Sequence, residues 1–411
     1  MTTTDTVVAP SAEPTAKPGA PRRTVMEQIL DASWVTIVIA IFIALLASSV
    51  LIAAANPQVQ AAAGYLFDRP SDFFGAAWDS IFGAYSALFR GAVYDYEATG
   101  ARTIRPITQT MTASVPLILA GLGLAVGFRS GMFNIGAQGQ VLMGAAAATW
   151  VGITLTLPPG IHLLVGCIAA IVVGALWAGI AGILKARTGA NEVIVTIMLN
   201  SIALFLVSYL LTTSLLRQGG TRPVSPPVDA NATFPLLLGE QFRLHAGFLL
   251  ALLAAVGVWW LMGRSVLGFQ FRAVGANQRA ARTAGIRVNL VFVLVMLTAG
   301  GLAGLAGATQ ILGTDKTLQA GSAGSIGIDA ITVALLGRSK PLGTVLAALL
   351  FGALRAGSPL MQTAAETPPD IVLVIQATIV LLIAAPVLVR ELSLVHRVAQ
   401  LFGYKMKEAR A

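Results

Sequence analysis

The sequence is short of the side chains that most chemistry needs. Among its 411 residues are one cysteine, Cys167, and three histidines. A single cysteine cannot form an internal disulfide, and its place in an apolar run makes it a small core residue. His162, His245 and His396 lie far apart without metal-ligand spacing, so no metal site is expected. Charged residues make up only 11%, against about 25% in an ordinary soluble chain. Neither a GxxxxGK[ST] phosphate loop nor a GxSxG nucleophile elbow occurs, and the glycines at 121, 123 and 127 lack the strand a dinucleotide fingerprint requires. These absences disfavour an integral-membrane enzyme and predict no cofactor; any ATP-driven step has to come from another chain.

What the sequence has in abundance is apolar surface: 56% hydrophobic residues and a mean hydropathy of +0.79. The fold class expected is all-α and integral to a membrane, with about ten transmembrane segments. The apolar runs are 34–55, 107–128, a run ending near 157, a run ending near 184, 193–213, 246–262, 291–312, 326–336, 342–354 and 371–389. Segment 326–336 is too short to cross a hydrocarbon core of about 30 Å unaided, which implies a half-length helix or an interrupted span. The net charge of +9 comes with no basic patch carrying interleaved aromatics, so nucleic acid is not an expected partner. Lys and Arg concentrate in alternate connections, and the positive-inside bias places both termini in the cytoplasm of a multi-pass inner-membrane protein. The domains read as a largely disordered cytoplasmic tail over 1–32 with a short helix from 22 to 33, a transmembrane domain over 33–389 and a basic cytoplasmic tail over 390–411. Asn231-Ala232-Thr233 is a chance sequon.

Several local patterns predict packing. Phe73, Phe74, Trp78, Phe82, Tyr85 and Phe89 recur at helical spacing, as an interfacial amphipathic helix or as a helix packed over the bundle. Pro116 follows Thr108, Thr110, Thr112 and Ser114, whose hydroxyls are expected to satisfy the carbonyl the proline frees. Gly300, Gly304 and Ala308 at four-residue spacing predict a close helix–helix contact.

The central stretch is Gly121 to Gly144, GLGLAVGFRSGMFNIGAQGQVLMG. It has the apolarity of a span, yet Arg129, Asn134, Gln138 and Gln140 interrupt it, and unpaired polar groups in hydrocarbon cost several kcal/mol. The expectation is a bend at the inner surface where two spans meet, with the amides turned into the bundle beside a gate. Other polar groups at membrane depth are Asn191, Glu192 and Asn200, together with Asp329 in the short segment. Asp329 is either functional or a first-turn helix carboxylate, and Glu192 fits the second reading. Amides, being both donors and acceptors, suit an uncharged hydroxylated solute better than an ion. The scarcity of carboxylates argues against a proton- or sodium-driven transporter. The connection 263–289 is expected to form a short helix pair, its arginines either ordinary positive-inside charge or a surface for a partner.

Four motifs taken together resemble one family. GFRSGMFNIGAQGQ at 127–140, NEVIVTIMLN at 191–200, FRAVGANQRAARTAGI at 271–286 and GIDAITVALLGRSKPLGTVLAALLFG at 327–352 are similar to permease subunits of bacterial ABC importers, in the branch for simple sugars and nucleosides. The likeness spans roughly 107–389 and leaves out the N-terminal tail. It implies a type II ABC importer permease fold working with a second permease subunit, identical or homologous. It further implies a cytoplasmic ATP-binding subunit and an extracytoplasmic solute-binding protein or lipoprotein, membrane lipid as surroundings, and a nucleoside or sugar as substrate. A branched-chain amino acid is the alternative solute. By the same resemblance Phe133, Asn134, Gln138 and Gln140 lie beside the translocation path, and the polar residues Asn200 and Asp329 are expected to line it as well. Gly275, Asn277, Ala281 and Gly285 match the family's loop that docks the ATPase, and Arg272 and Arg279 beside them are expected to take part in the docking. Where the family commonly has an acidic residue before the last Gly-Gln, this chain has Gln138.

Overall fold

The computed structural model describes residues 33–217, 223–365, 367–368 and 370–384. The expected tails, the helix from 22 to 33 and the last residues of the run 371–389 lie outside the described residues. Helices account for nearly all regular structure, as apolar runs in lipid require, because a helix satisfies its own backbone hydrogen bonds. In chain order they are α1 (Ser33–Ala55), α2 (Pro57–Ala63), α3 (Pro70–Ala92), α4 (Arg105–Arg129), α5 (Ala137–Thr154), α6 (Ile161–Thr188) and α7 (Glu192–Leu210). There follow α8 (Gly247–Arg264), α9 (Val266–Ala276), α10 (Gln278–Thr283), α11 (Val288–Thr309), α12 (Ile326–Leu336), α13 (Pro341–Ala364) and α14 (Asp370–Ala384).

Each of the expected membrane segments is a helix, though not all are spans of ordinary length. Among the described residues, six helices are long and apolar enough to cross a membrane, and α1 joins α2 at a 76° bend. The expected short segment is α12, with the bounds read from the sequence. The expected run 342–354 is longer: α13 continues through Pro359 to Ala364. Arg355 masks this continuation in the hydropathy pattern, although the backbone remains helical.

The core forms around α4, which packs against α8, α11, α12 and α13 and is buried along nearly its whole apolar length. The Gly300–Gly304 face of α11 meets α6 and α5. A Cβ at Gly304 would collide with Ala170 O, and one at Gly144 would collide with the backbone of Gly304, so three helices approach at backbone contact. The hydroxyls before Pro116 behave otherwise than expected. Thr112 Oγ1 donates to Thr108 O at 2.9 Å and Ser114 Oγ to Met111 O at 2.7 Å, while Thr110 Oγ1 reaches Ala92 O of α3 at 2.6 Å. They tie neighbouring turns and helices together; proline frees the carbonyl four residues earlier, that of Thr112.

α3 packs on the bundle by one face, as one of the two readings has it, and leaves aromatics exposed on the other. Ala84, Ala87, Leu88 and Gly91 are buried against α13, whereas Phe74, Trp78, Phe82 and Phe89 are exposed. Tyr85 Oη donates to Leu45 O at 2.6 Å, pinning α3 to α1.

Candidate functional site

The connection that leads into α5 is unwound. After α4 ends at Arg129 the chain turns through Gly131, at φ 70°, and runs unwound to Gly136 before α5 begins. Three neighbours stabilise the unwound stretch. Asn134 Nδ2 donates to Gln140 Oε1 and Gln140 Nε2 to Asn134 Oδ1, both at 3.0 Å, and Asn134 Oδ1 also accepts from Gly136 N at 2.9 Å. Asn200 of α7 clasps the same segment, with Nδ2 donating to Ile135 O at 2.9 Å and Oδ1 accepting from Gly139 N at 2.8 Å. Thr196 Oγ1 accepts from Ile135 N at 3.3 Å. Asn134 and Gln140 are each 1% exposed, so their hydrogen-bonding capacity goes to each other and to the backbone.

Gln138 has a different setting. Its Nε2 donates to Gly324 O at 2.6 Å and its Oε1 accepts from Gly327 N at 2.8 Å. It therefore joins the N-terminus of α5 to the N-terminus of the half-length helix α12. Gly327 is required there, because a Cβ would run into the Gln138 backbone. Beside this junction Ser325 Oγ donates to Asp329 Oδ2 at 2.8 Å, and Arg355 Nη2 of α13 donates to Ser325 Oγ at 3.2 Å. One hydroxyl thus stands between a carboxylate and a guanidinium. Asp329 lies in the first turn of α12, where a carboxylate favours the helix start.

Helix lengths give the junction its depth. Asn200 is eight residues beyond Glu192, roughly 12 Å along α7, and α12 runs for about 16 Å from the junction to the turn before α13. The start of α5 therefore meets α7 about two turns in from its N-terminus, and the junction at Gln138 is partly exposed. The bend expected from the sequence is present at Arg129 to Gly131, and the amides follow it along the unwound chain. Glu192 is at the helix start as expected, paired with Lys185 Nζ at 2.5 Å.

The expected docking residues also separate by role. α9 and α10 form the helix pair. Asn277 caps α10, accepting from Arg279 N at 2.9 Å and Ala280 N at 3.1 Å. Ala281 is buried, and Gly285 takes φ 82° just past the helix. A Cβ at Gly275 would strike Arg129 O and Ser130, so α9 packs directly on the end of α4. Arg279 and Arg282 stand exposed, whereas Arg272 is half-buried beside Arg129 and Lys340. Phe133 is exposed and its ring lies 4.8 Å from that of Phe128.

Sequence reasoning missed Ser325 and Thr196, which are unremarkable in sequence, and left Arg355 unassigned at a presumed span end. A lone arginine within LLFGALRAGSP is itself the signal of an intramembrane ionisable group. Among the described residues no group of three or more His, Cys, Asp or Glu could hold a metal.

The guanosine ABC transporter permease protein NupP of Bacillus subtilis is 41% identical over 313 residues, covering 76% of this chain and 88% of that protein. The glucose ABC transporter permease protein TsgB13 of Haloferax volcanii is 39% identical, covering 67% of this chain and 75% of its own. The nucleoside ABC transporter permease protein NupB of Lactococcus lactis is 36% identical, with 68% and 79% covered. No solved structure is a significant match. Residues 107–384 match the family described as branched-chain amino acid transport system, permease component. That range contains the Gln138 junction and the α9–α10 pair, and the chain belongs to this family of multi-pass, non-enzymatic ABC transporter permeases.

Proposed function

We propose that this chain is the translocating subunit of an ATP-driven importer, and that its solute is a nucleoside or, failing that, a simple sugar. The observation that carries the reading is the junction at Gln138, where the N-terminus of α5, which follows unwound chain, meets the N-terminus of the half-length α12. Broken helices leave polar backbone at membrane depth, which is tolerated where it lines a route for solute. Gln138, Ser325, Asp329 and Arg355 offer donors and acceptors at this junction, in keeping with an uncharged hydroxylated solute. Asn134, Gln140 and Asn200 are the frame that holds the junction open-ended. The names of the relatives, guanosine, nucleoside and glucose permeases, favour the same solute class.

The α9–α10 end carries Arg129, Arg272, Arg279, Arg282 and Lys340 and is assigned to the cytoplasm by the positive-inside bias. There a separate ATP-binding subunit docks on the exposed side of α10, a second permease subunit completes the path, and a solute-binding protein delivers solute on the opposite side. Gly275 supports mechanical coupling, since it seats α9 on Arg129 and Ser130, immediately before the unwound stretch.

The test is uptake of labelled guanosine and of labelled glucose by a host lacking both activities, expressing this chain with its ATP-binding and solute-binding subunits. Saturable guanosine uptake, lost when the ATPase is inactivated, is expected. Uptake of leucine alone would refute the solute class. Uptake that survives ATPase inactivation and collapses with an uncoupler would refute the coupling.

A further inference from the structure

At the α9–α10 end, a cavity of about 400 Å³ opens between the ends of α4, α8 and α13. Three cations from three elements line it: Arg129 at the end of α4, Arg272 of α9 and Lys340 in the turn before α13. The turn is built for this, with Arg338 at φ 51° and Ser339 at φ 54° reversing the chain so that Lys340 stands at the cavity. None of the lining residues is acidic, and among the described residues none of the three cations is in an ion pair. Like charges gathered without a counterion are unfavourable unless an anion joins them.

The remaining walls are apolar. Trp259 and Met262 come from α8 and Leu342 from α13. Leu342 is 74% exposed and Trp259 55% exposed, and the guanidinium of Arg264 lies 5.8 Å from the Trp259 ring. From the cavity, exposed apolar ridges continue along the outside of both helices, through Leu346 on α13 and through Val256 and Leu253 on α8. A polar, cationic floor opening onto paired apolar ridges matches a phosphate headgroup with acyl chains, and a tryptophan at the rim suits the headgroup layer. A soluble partner's carboxylate would satisfy the cations and leave the ridges without an occupant.

We propose that this cavity is a binding site for an anionic phospholipid of the inner leaflet, its phosphate held by Arg129, Arg272 and Lys340. The site is separate from the solute route and its test does not involve transport. The full chain, purified in mild detergent, is reconstituted into nanodiscs of mixed phosphatidylglycerol and phosphatidylcholine, and tightly held lipid is measured by native mass spectrometry. Selective retention of phosphatidylglycerol is expected, weakened about fivefold for each charge removed in Arg272→Gln and Lys340→Gln. Lys340→Arg, which keeps the charge, should retain the lipid and separates loss of the site from loss of the fold. Equal retention of both lipids, or undiminished retention in Arg272→Gln/Lys340→Gln, overturns the proposal. So does equal displacement by glycerol 3-phosphate, which would make it a soluble-phosphate site. If the double variant instead loses a second copy of the chain or the ATP-binding subunit while its lipid is unchanged, the cavity is a protein interface and the proposal fails.

Discussion

Asn134 and Gln140 show how an amide pair behaves when buried in an apolar bundle. Each satisfies the other, so removing one leaves its partner's amide unpaired. Asn134→Ala should therefore lower stability by about 1–2 kcal/mol, seen as a lower melting temperature in detergent, with a parallel loss of transport because the unwound stretch loses its clasp. Gln138 offers a sharper test, because it donates to Gly324 O and accepts from Gly327 N. A carboxylate there keeps the acceptor and loses the donor. Gln138→Glu is expected to preserve insertion while altering uptake, and Gln138→Leu, with neither group, to reduce it more; equal uptake by all three would remove Gln138 from the path.

His245 lies in the connection before α8, wholly buried, with Nδ1 accepting from Gly247 N at 3.2 Å and Nε2 unpartnered among the described residues. Desolvation lowers its pKa from the ordinary 6.5 to about 4. The unfolded chain then binds more protons than the folded one between these values, so stability should fall as pH drops from 6.5 towards about 4. Thermal unfolding followed across that range, compared with His245→Gln, isolates this contribution as the part of the slope that the substitution removes.

At the scale of elements, α11 is held by contacts that admit no side chain. Gly304→Val should cost about 3 kcal/mol or more, since the obstruction is the backbone of Ala170 and not a movable side chain; the readout is the yield of folded protein. Gly275 makes a comparable contact between α9 and the end of α4. Displacing α9 there should leave the bundle folded while weakening the link between α9–α10 and the unwound stretch. Gly275→Val is thus expected to keep ATPase activity of the assembled transporter and lose solute-stimulated uptake, measured in proteoliposomes.

For the whole molecule, the α9–α10 end presents Arg279 and Arg282 outward on a capped short helix. Reversing both, Arg279→Glu with Arg282→Glu, should abolish recovery of the ATP-binding subunit on affinity-purified permease without affecting membrane insertion. Asn277→Asp alone should have little effect, because an aspartate caps α10 equally well. Among the docking-loop residues, Gly275, Asn277 and Ala281 also shape the helix pair, while Arg279 stands exposed on it.

The helical class, the apolar helices, the half-length α12 and the close-packing face of α11 were legible in the amino-acid sequence, because hydropathy, segment length and small-residue spacing are local properties. The family was legible too, since its motifs are contiguous. Tertiary structure alone decided which polar residues are spent and which are available. Asn134, Gln138 and Gln140 are chemically alike and neighbours in sequence, yet two bond each other and the third bridges to a helix 189 residues away. It also decided that Ser325 stands between Asp329 and Arg355, and that Arg129, Arg272 and Lys340 share one cavity. Such partnerships depend on how distant helices cross, which no local pattern encodes.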